Sequence, residues 1–123
     1  MKPIYIDVHA HLNFSAFDPD REDVVRRTQE AQAGVINVGT QINTSRRAVE
    51  LAEKHKNMWA IVGLHPIHTS KSYHDEKELG EPLDSARGPG DKTLEGFISR
   101  GEVFDSAIYR TIAASPKVVG IGE

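Results

Sequence analysis

Apolar residues fall in short clusters separated by longer amphipathic stretches, and the clusters mark out the elements. The first cluster, residues 4–9, reads as a strand. Side chains alternate along a strand, which predicts Tyr5, Asp7, His9 and His11 on one face and Ile4, Ile6 and Val8 on the other. A polar loop containing Phe14 and Phe17 follows. Asp18-Pro19 then looks like a helix start, with Asp as cap and Pro in the first turn. Val24, Val25, Thr28 and Ala31 recur near a 3/4 spacing, which predicts a helix over about 19–33. Gly34 would end it in the left-handed conformation. Residues 35–39 are β-branched and short, as in a buried strand. A second helix, roughly 45–54 and capped by Asn43 or Thr44, turns Ala48, Val49, Leu51 and Ala52 to one side. Residues 58–64 form the third strand, in which Trp59 reads as core between sheet and helices.

Strand, helix, strand, helix, strand is the pattern of a parallel α/β protein. It breaks over about 67–102, a polar stretch rich in Gly and Pro that is long for a compact domain. That stretch reads as an insertion after strand three, with a short helix near 91–100. The pattern resumes with a helix over 103–115, whose apolar side is Phe104, Ile108, Ile112 and Ala113. Pro116 closes it. Residues 118–122 are strand four, and Glu123 stands at its carboxyl end. The expectation is one domain, 1–123, carrying that insertion.

Composition narrows the classes. The net charge is −3 and no Lys/Arg block stands out, so a stripe for tight nucleic-acid backbone binding is not visible, although a nucleic acid held through metals stays open. The chain has no cysteine, which removes disulfide and thiol chemistry and fits a cytoplasmic protein. No apolar run is long enough for a membrane span or a signal peptide.

Every strand ends in a polar group: His9 and His11, then Asn37 and Thr40, then His65, then Glu123. Ligands bind at the carboxyl ends of strands in parallel α/β folds. His9 and His11 read either as metal ligands or as two histidines at a core edge. Asp7 could hold one of them in its tautomer. Glu123 alone is a surface acid; after a Gly-flanked buried strand it could bridge ions or orient a water. His65 is either a donor to a substrate oxygen or a loop histidine before Pro66. His55, His68 and His74 read as solvated, and so do the charge runs of the first two helices.

Taken together, Ile6-Asp7-Val8-His9-Ala10-His11-Leu12, Gly34-Val35, Gly63-Leu64-His65-Pro66 and Val118-Val119-Gly120-Ile121-Gly122-Glu123 resemble the TatD family of metal-dependent deoxyribonucleases. The first and last pieces occur in metal hydrolases generally; Gly-Leu-His-Pro makes the match specific. The resemblance implies a TIM-type (β/α)8 barrel, of which these four strands are the N-terminal half. It implies hydrolysis of phosphodiester bonds in DNA, or in another phosphodiester substrate, by a metal-activated water. His9 and His11 would hold one divalent ion (Mg, Zn or Mn). Glu123 would bridge it to a second ion and orient the water, and His65 would lie near the substrate phosphate. A full barrel runs to about 250 residues. The family's later ligands, two histidines and an aspartate, are not among these residues. The stretch 1–123 is therefore expected to be weakly active or inactive alone, with a C-terminal half of the barrel as its partner. A small-substrate phosphoesterase of the same barrel class and a non-catalytic half-barrel subunit are the competing readings.

Overall fold

A computed structural model describes residues 2–69 and 101–122. Strand β1 is Tyr5–Ala10, followed by a short 3-10 turn at Ser15–Phe17 and helix α1 at Arg21–Glu30. Strand β2 is Ala33–Val38, α2 is Ile42–Lys54 and β3 is Met58–Val62. A second 3-10 turn at Pro66–His68 leads away from β3. Helix α3 is Ser106–Ala113 and β4 is Val118–Ile121. The four strands form one parallel sheet in the order β1-β2-β3-β4, so neighbours in sequence are neighbours in space. This is the parallel α/β alternation expected. The expected helix at 91–100, most of the expected insertion, His74 and Glu123 lie outside the described residues.

One face of the sheet carries the core. Val35, Met58, Ala60 and Val62 are buried against Ala48, Val49, Leu51 and Ala52 of α2 and Tyr109 and Ile112 of α3. Each such side chain stabilises the fold by roughly 1.5–3 kcal/mol relative to exposure. Residues between them along β3 must face the other side. Trp59 is one of these: it pairs with Ile36 and is only half-buried. The expectation that it fills the space between sheet and helices is therefore corrected.

Helix boundaries moved for local reasons. Asp18-Pro19 does not open α1; the 3-10 turn precedes it, and Asp18 instead pairs with Arg21 at 2.7 Å. Gly34 is a β2 residue paired with Ile6, and the left-handed position is Gln32, at φ 56°. Helix α2 begins earlier than expected because Thr44 Oγ1 accepts from the backbone N–H groups of Thr40 at 2.8 Å and Gln41 at 3.0 Å. Helix α3 begins at Asp105, whose Oδ1 accepts from Ala107 N at 3.0 Å and Ile108 N at 3.2 Å. Phe104 therefore lies before the helix, exposed, with its ring stacked on Tyr109.

Lys117, silent in the sequence, joins the amino ends of β3 and β4. Its Nζ donates to the carbonyls of His55, Lys56 and Met58 at 3.0–3.1 Å. No helix among the described residues is long and apolar enough to cross a membrane.

Tyr109 is the buried titratable group of α3. Its hydroxyl donates to the Glu102 carboxylate. Burial first, and then that bond, hold the phenol well above its ordinary range. The folded chain thus keeps a proton that the unfolded chain releases above about pH 10, so stability falls as pH rises past that value. In Tyr109→Phe this alkaline loss is expected to be smaller. Urea denaturation of both proteins between pH 8 and 11 checks it; parallel curves would refute it.

Candidate functional site

The site is built around a break in β1. Tyr5, Ile6 and Asp7 pair in step with Ala33, Gly34 and Val35, but the next pair is Ala10 with Asn37. Three steps on β1 match two on β2, which inserts one residue. The even alternation expected along β1 is thus interrupted between Asp7 and Ala10. The Asp7 carboxylate accepts from the backbone N–H of His9 at 3.0 Å, a main-chain donor at the irregular step of the ladder.

The bulge still brings the imidazoles of His9 and His11 together, edge to face, with centroids 5.1 Å apart. His11 Nδ1 lies 2.9 Å from the carbonyl oxygen of Val38, at the end of β2. A carbonyl only accepts, so Nδ1 carries the proton and the neutral ring presents the Nε2 lone pair. This is the arrangement by which an outer partner fixes the tautomer of a metal-binding histidine. The Phe14 ring stacks on the other side of His11, with centroids 4.3 Å apart and planes 21° apart.

The donor set fits a divalent ion in part. Two neutral nitrogens side by side are half of a tetrahedral set. Among the described residues no group of three or more His, Cys, Asp or Glu is placed to hold an ion. Glu123 would supply the next donor and lies outside them. Its neighbour Gly122 is described: its N–H donates to Val62 O at 3.0 Å and its φ is +136°, a value that favours glycine.

His65 follows β3. Its Nδ1 accepts from the Ile67 N–H at 3.1 Å, so in the neutral ring Nε2 bears the hydrogen and is a donor. Its backbone N–H is tied to Thr40 O at 2.8 Å, which joins the ends of β2 and β3. His68 was read as solvated and is instead 2% exposed. The reason is the turn after Pro66: His68 N bonds to His65 O at 3.0 Å, and Glu102 N bonds to His68 O at 2.7 Å. Residues 68 and 102, far apart in the chain, thus meet beside the end of β3. Glu102 also accepts from Ile42 N at 3.0 Å, at the start of α2.

Asn37 and Thr40 serve the scaffold. Asn37 is buried, and its Oδ1 accepts from Leu12 N at 2.9 Å. Asn37→Ala leaves that buried N–H without a partner and is expected to destabilise the chain by about 1–3 kcal/mol. Chemical denaturation measures it, and a loss under about 0.5 kcal/mol, the size of an ordinary surface change, would contradict it.

Sequence reasoning missed Phe14, Arg21 and Arg47. Arg21 and Arg47 were counted with the solvated helix charges. Both are half-buried, and both bond to the loop after β1. The exposed part of that expectation holds for Arg26, which pairs with Asp23 and Glu30 in solvent.

A parallel sheet with its polar groups gathered at the carboxyl ends of the strands defines a β/α protein of the class in which ligands bind at that edge. The chain belongs to the TatD-related DNase family, whose model matches residues 6–123. It is 34% identical, over 95% of its length, to a 3'-5' ssDNA/RNA exonuclease TatD of Erwinia tasmaniensis, covering 35% of that protein. It is 36% identical to the exonuclease of the same name from Citrobacter koseri over 58% of its length, covering 28% of the relative. It is 37% identical to an uncharacterized metal-dependent hydrolase, YabD, of Bacillus subtilis over 50% of its length, covering 24% of the relative. The chain thus spans about a quarter to a third of the curated relatives it matches.

Proposed function

We propose that residues 1–123 are the opening part of a metal-dependent hydrolase that cleaves phosphodiester bonds in nucleic acid. The carrying observation is the His9–His11 pair at the end of β1, with His11 Nδ1 against Val38 O, which makes Nε2 the lone-pair atom of the neutral ring. His9 and His11 hold a divalent ion, Mg, Zn or Mn, through neutral nitrogens, and a complete domain holds two ions. Glu123 joins the ions and orients the water. Asp7 supports the pair from behind through the His9 backbone. His65 directs its Nε2–H at a substrate phosphate oxygen. The bound ions supply Lewis acidity and lower the pKa of a water. Membership in the TatD family and relatives named as ssDNA/RNA exonucleases support a nucleic-acid substrate.

In this reading the four strands form one partial domain, with the insertion at about 67–102, and belong to a TIM-type (β/α)8 barrel. Two facts support it. A relative of which 73 aligned residues make 28% is about twice as long. Both outer strands expose apolar residues: Tyr5, Ile6 and Val8 on β1, Val119 and Ile121 on β4. Further β/α units, as the C-terminal half of the barrel, would cover these edges. Taken alone, 1–123 carries an unfinished ligand set and is catalytically weak. A cytoplasmic setting goes with a chain that has no cysteine.

The test is a panel of 3'-labelled single-stranded DNA, RNA and small phosphoesters, each with and without divalent ions. The chain joined to or mixed with the remaining β/α units of a relative is expected to cleave the nucleic acids in a metal-dependent way. Turnover of the small phosphoesters alone would favour the small-substrate reading. No turnover and no ion binding would favour a subunit role.

A further inference from the structure

The turn that carries His11 is held mainly by side chains from elsewhere. Leu12 N–H is taken by Asn37 Oδ1, and Asn13 Nδ2 donates to Val38 O at 3.2 Å and Thr44 O at 2.9 Å. Inside the turn, Phe14 N–H donates to His11 O at 3.0 Å. One residue holds two of its carbonyls at once. Arg21, the first residue of α1, reaches back from its helix: Nε donates to Leu12 O and Nη2 to Phe14 O, each at 2.6 Å. Asp18 accepts from the same Nη2 at 2.7 Å and aims the fork. The side chain is 21% exposed, against 57% for Arg26 on the solvated face of the same helix.

We infer that Arg21 is a positioning residue for His11. Leu12 is pinned on both peptide planes, its N–H by Asn37 and its C=O by Arg21. That fixes the backbone leaving His11. The second fork contact fixes Phe14, whose ring lies flat against the imidazole. Arg21 thereby restrains the ring from the chain side and from its stacked face, and keeps Nδ1 on Val38 O. A planar guanidinium with five donors in fixed directions holds two carbonyls and a carboxylate together; an ammonium on a flexible stem does not. Arg47 bonds to the same loop at Ser15 Oγ, 2.6 Å, and contributes to loop stability without holding either carbonyl.

The inference concerns the histidine and rests on the metal-site reading only for its consequence. The test reads the two separately, on the full chain. Ring-nitrogen NMR of His11 without metal reports the tautomer, and zinc titration reports affinity. In the unsubstituted chain a single Nδ1–H tautomer is expected. Arg21→Met is expected to give mixed tautomers and zinc affinity lower by about 10–100-fold, the usual effect of losing an outer partner. Arg21→Lys, which keeps the charge and is the milder change, is expected to fall between, and it carries the test if Arg21→Met does not fold. Arg47→Met is expected to lower stability with the tautomer unmoved. A His11 tautomer identical to the unsubstituted chain in the folded Arg21 variants would overturn the inference. Altered tautomers in a chain that binds no zinc would leave Arg21 in its role and sink the metal reading instead.

Discussion

His11→Ala is expected to weaken divalent-ion binding by more than the about 100-fold that removing an outer partner of a ligand costs. His11 is the donor whose lone pair the structure prepares most completely. Its Nδ1 is committed to Val38 O, its ring is stacked on Phe14, and the His9 ring stands 5.1 Å away. Truncation removes both the donor and the group that fixes the geometry of the pair. His9→Ala is expected to weaken binding as well, since its ring is the other half of the pair. Calorimetric titration with zinc or manganese measures both. Equal binding by His11→Ala and the unsubstituted chain would remove the basis of the site.

A large effect on stability is expected at Gly63. A Cβ there would sit 2.5 Å from Gly122 O and 3.0 Å from Gly122 N, both backbone atoms of the neighbouring strand end. Backbone cannot rotate aside as a side-chain tip can, so β3 and β4 must part where the Gly122 N–H bonds to Val62 O. Gly63→Ala is expected to cost about 3 kcal/mol, the upper part of the usual overpacking range. That is a large fraction of the stability of a small domain. Gly120→Ala is the comparator. Its Cβ would meet the Ile61 side chain at 3.2 Å, which can give way, and the loss should be much smaller. Urea denaturation of the two variants decides, and a Gly63→Ala loss no greater than that of Gly120→Ala would contradict the close strand approach.

The sheet was legible because parallel strands buried by helices are short, apolar and β-branched, and residues 35–38 and 58–62 have that character without competing signals. Helix starts were less legible. Asp18-Pro19 carries the usual signals of a helix start, yet Asp18 is drawn to Arg21 and the chain makes a 3-10 turn first. The pairing of His9 with His11 was readable from their spacing. The break in the ladder between Asp7 and Ala10 was not, because a bulge leaves no mark in an alternating sequence. His68 looked solvated because its burial depends on Glu102, far away in the chain, meeting its carbonyl. Arg21 was read as a solvated charge and Lys117 was not singled out, while their role is to satisfy backbone carbonyls, which composition cannot reveal. Arg21 holds Leu12 and Phe14; Lys117 holds His55, Lys56 and Met58.

The central claim is that His9 and His11 bind one ion together. A crystal of the full chain soaked in zinc, with anomalous diffraction collected at the zinc edge, tests it directly. A peak is expected about 2.0–2.1 Å from His11 Nε2, with a ring nitrogen of His9 at the same distance. A peak bound elsewhere, with His11 Nε2 turned to a protein acceptor instead, would contradict it.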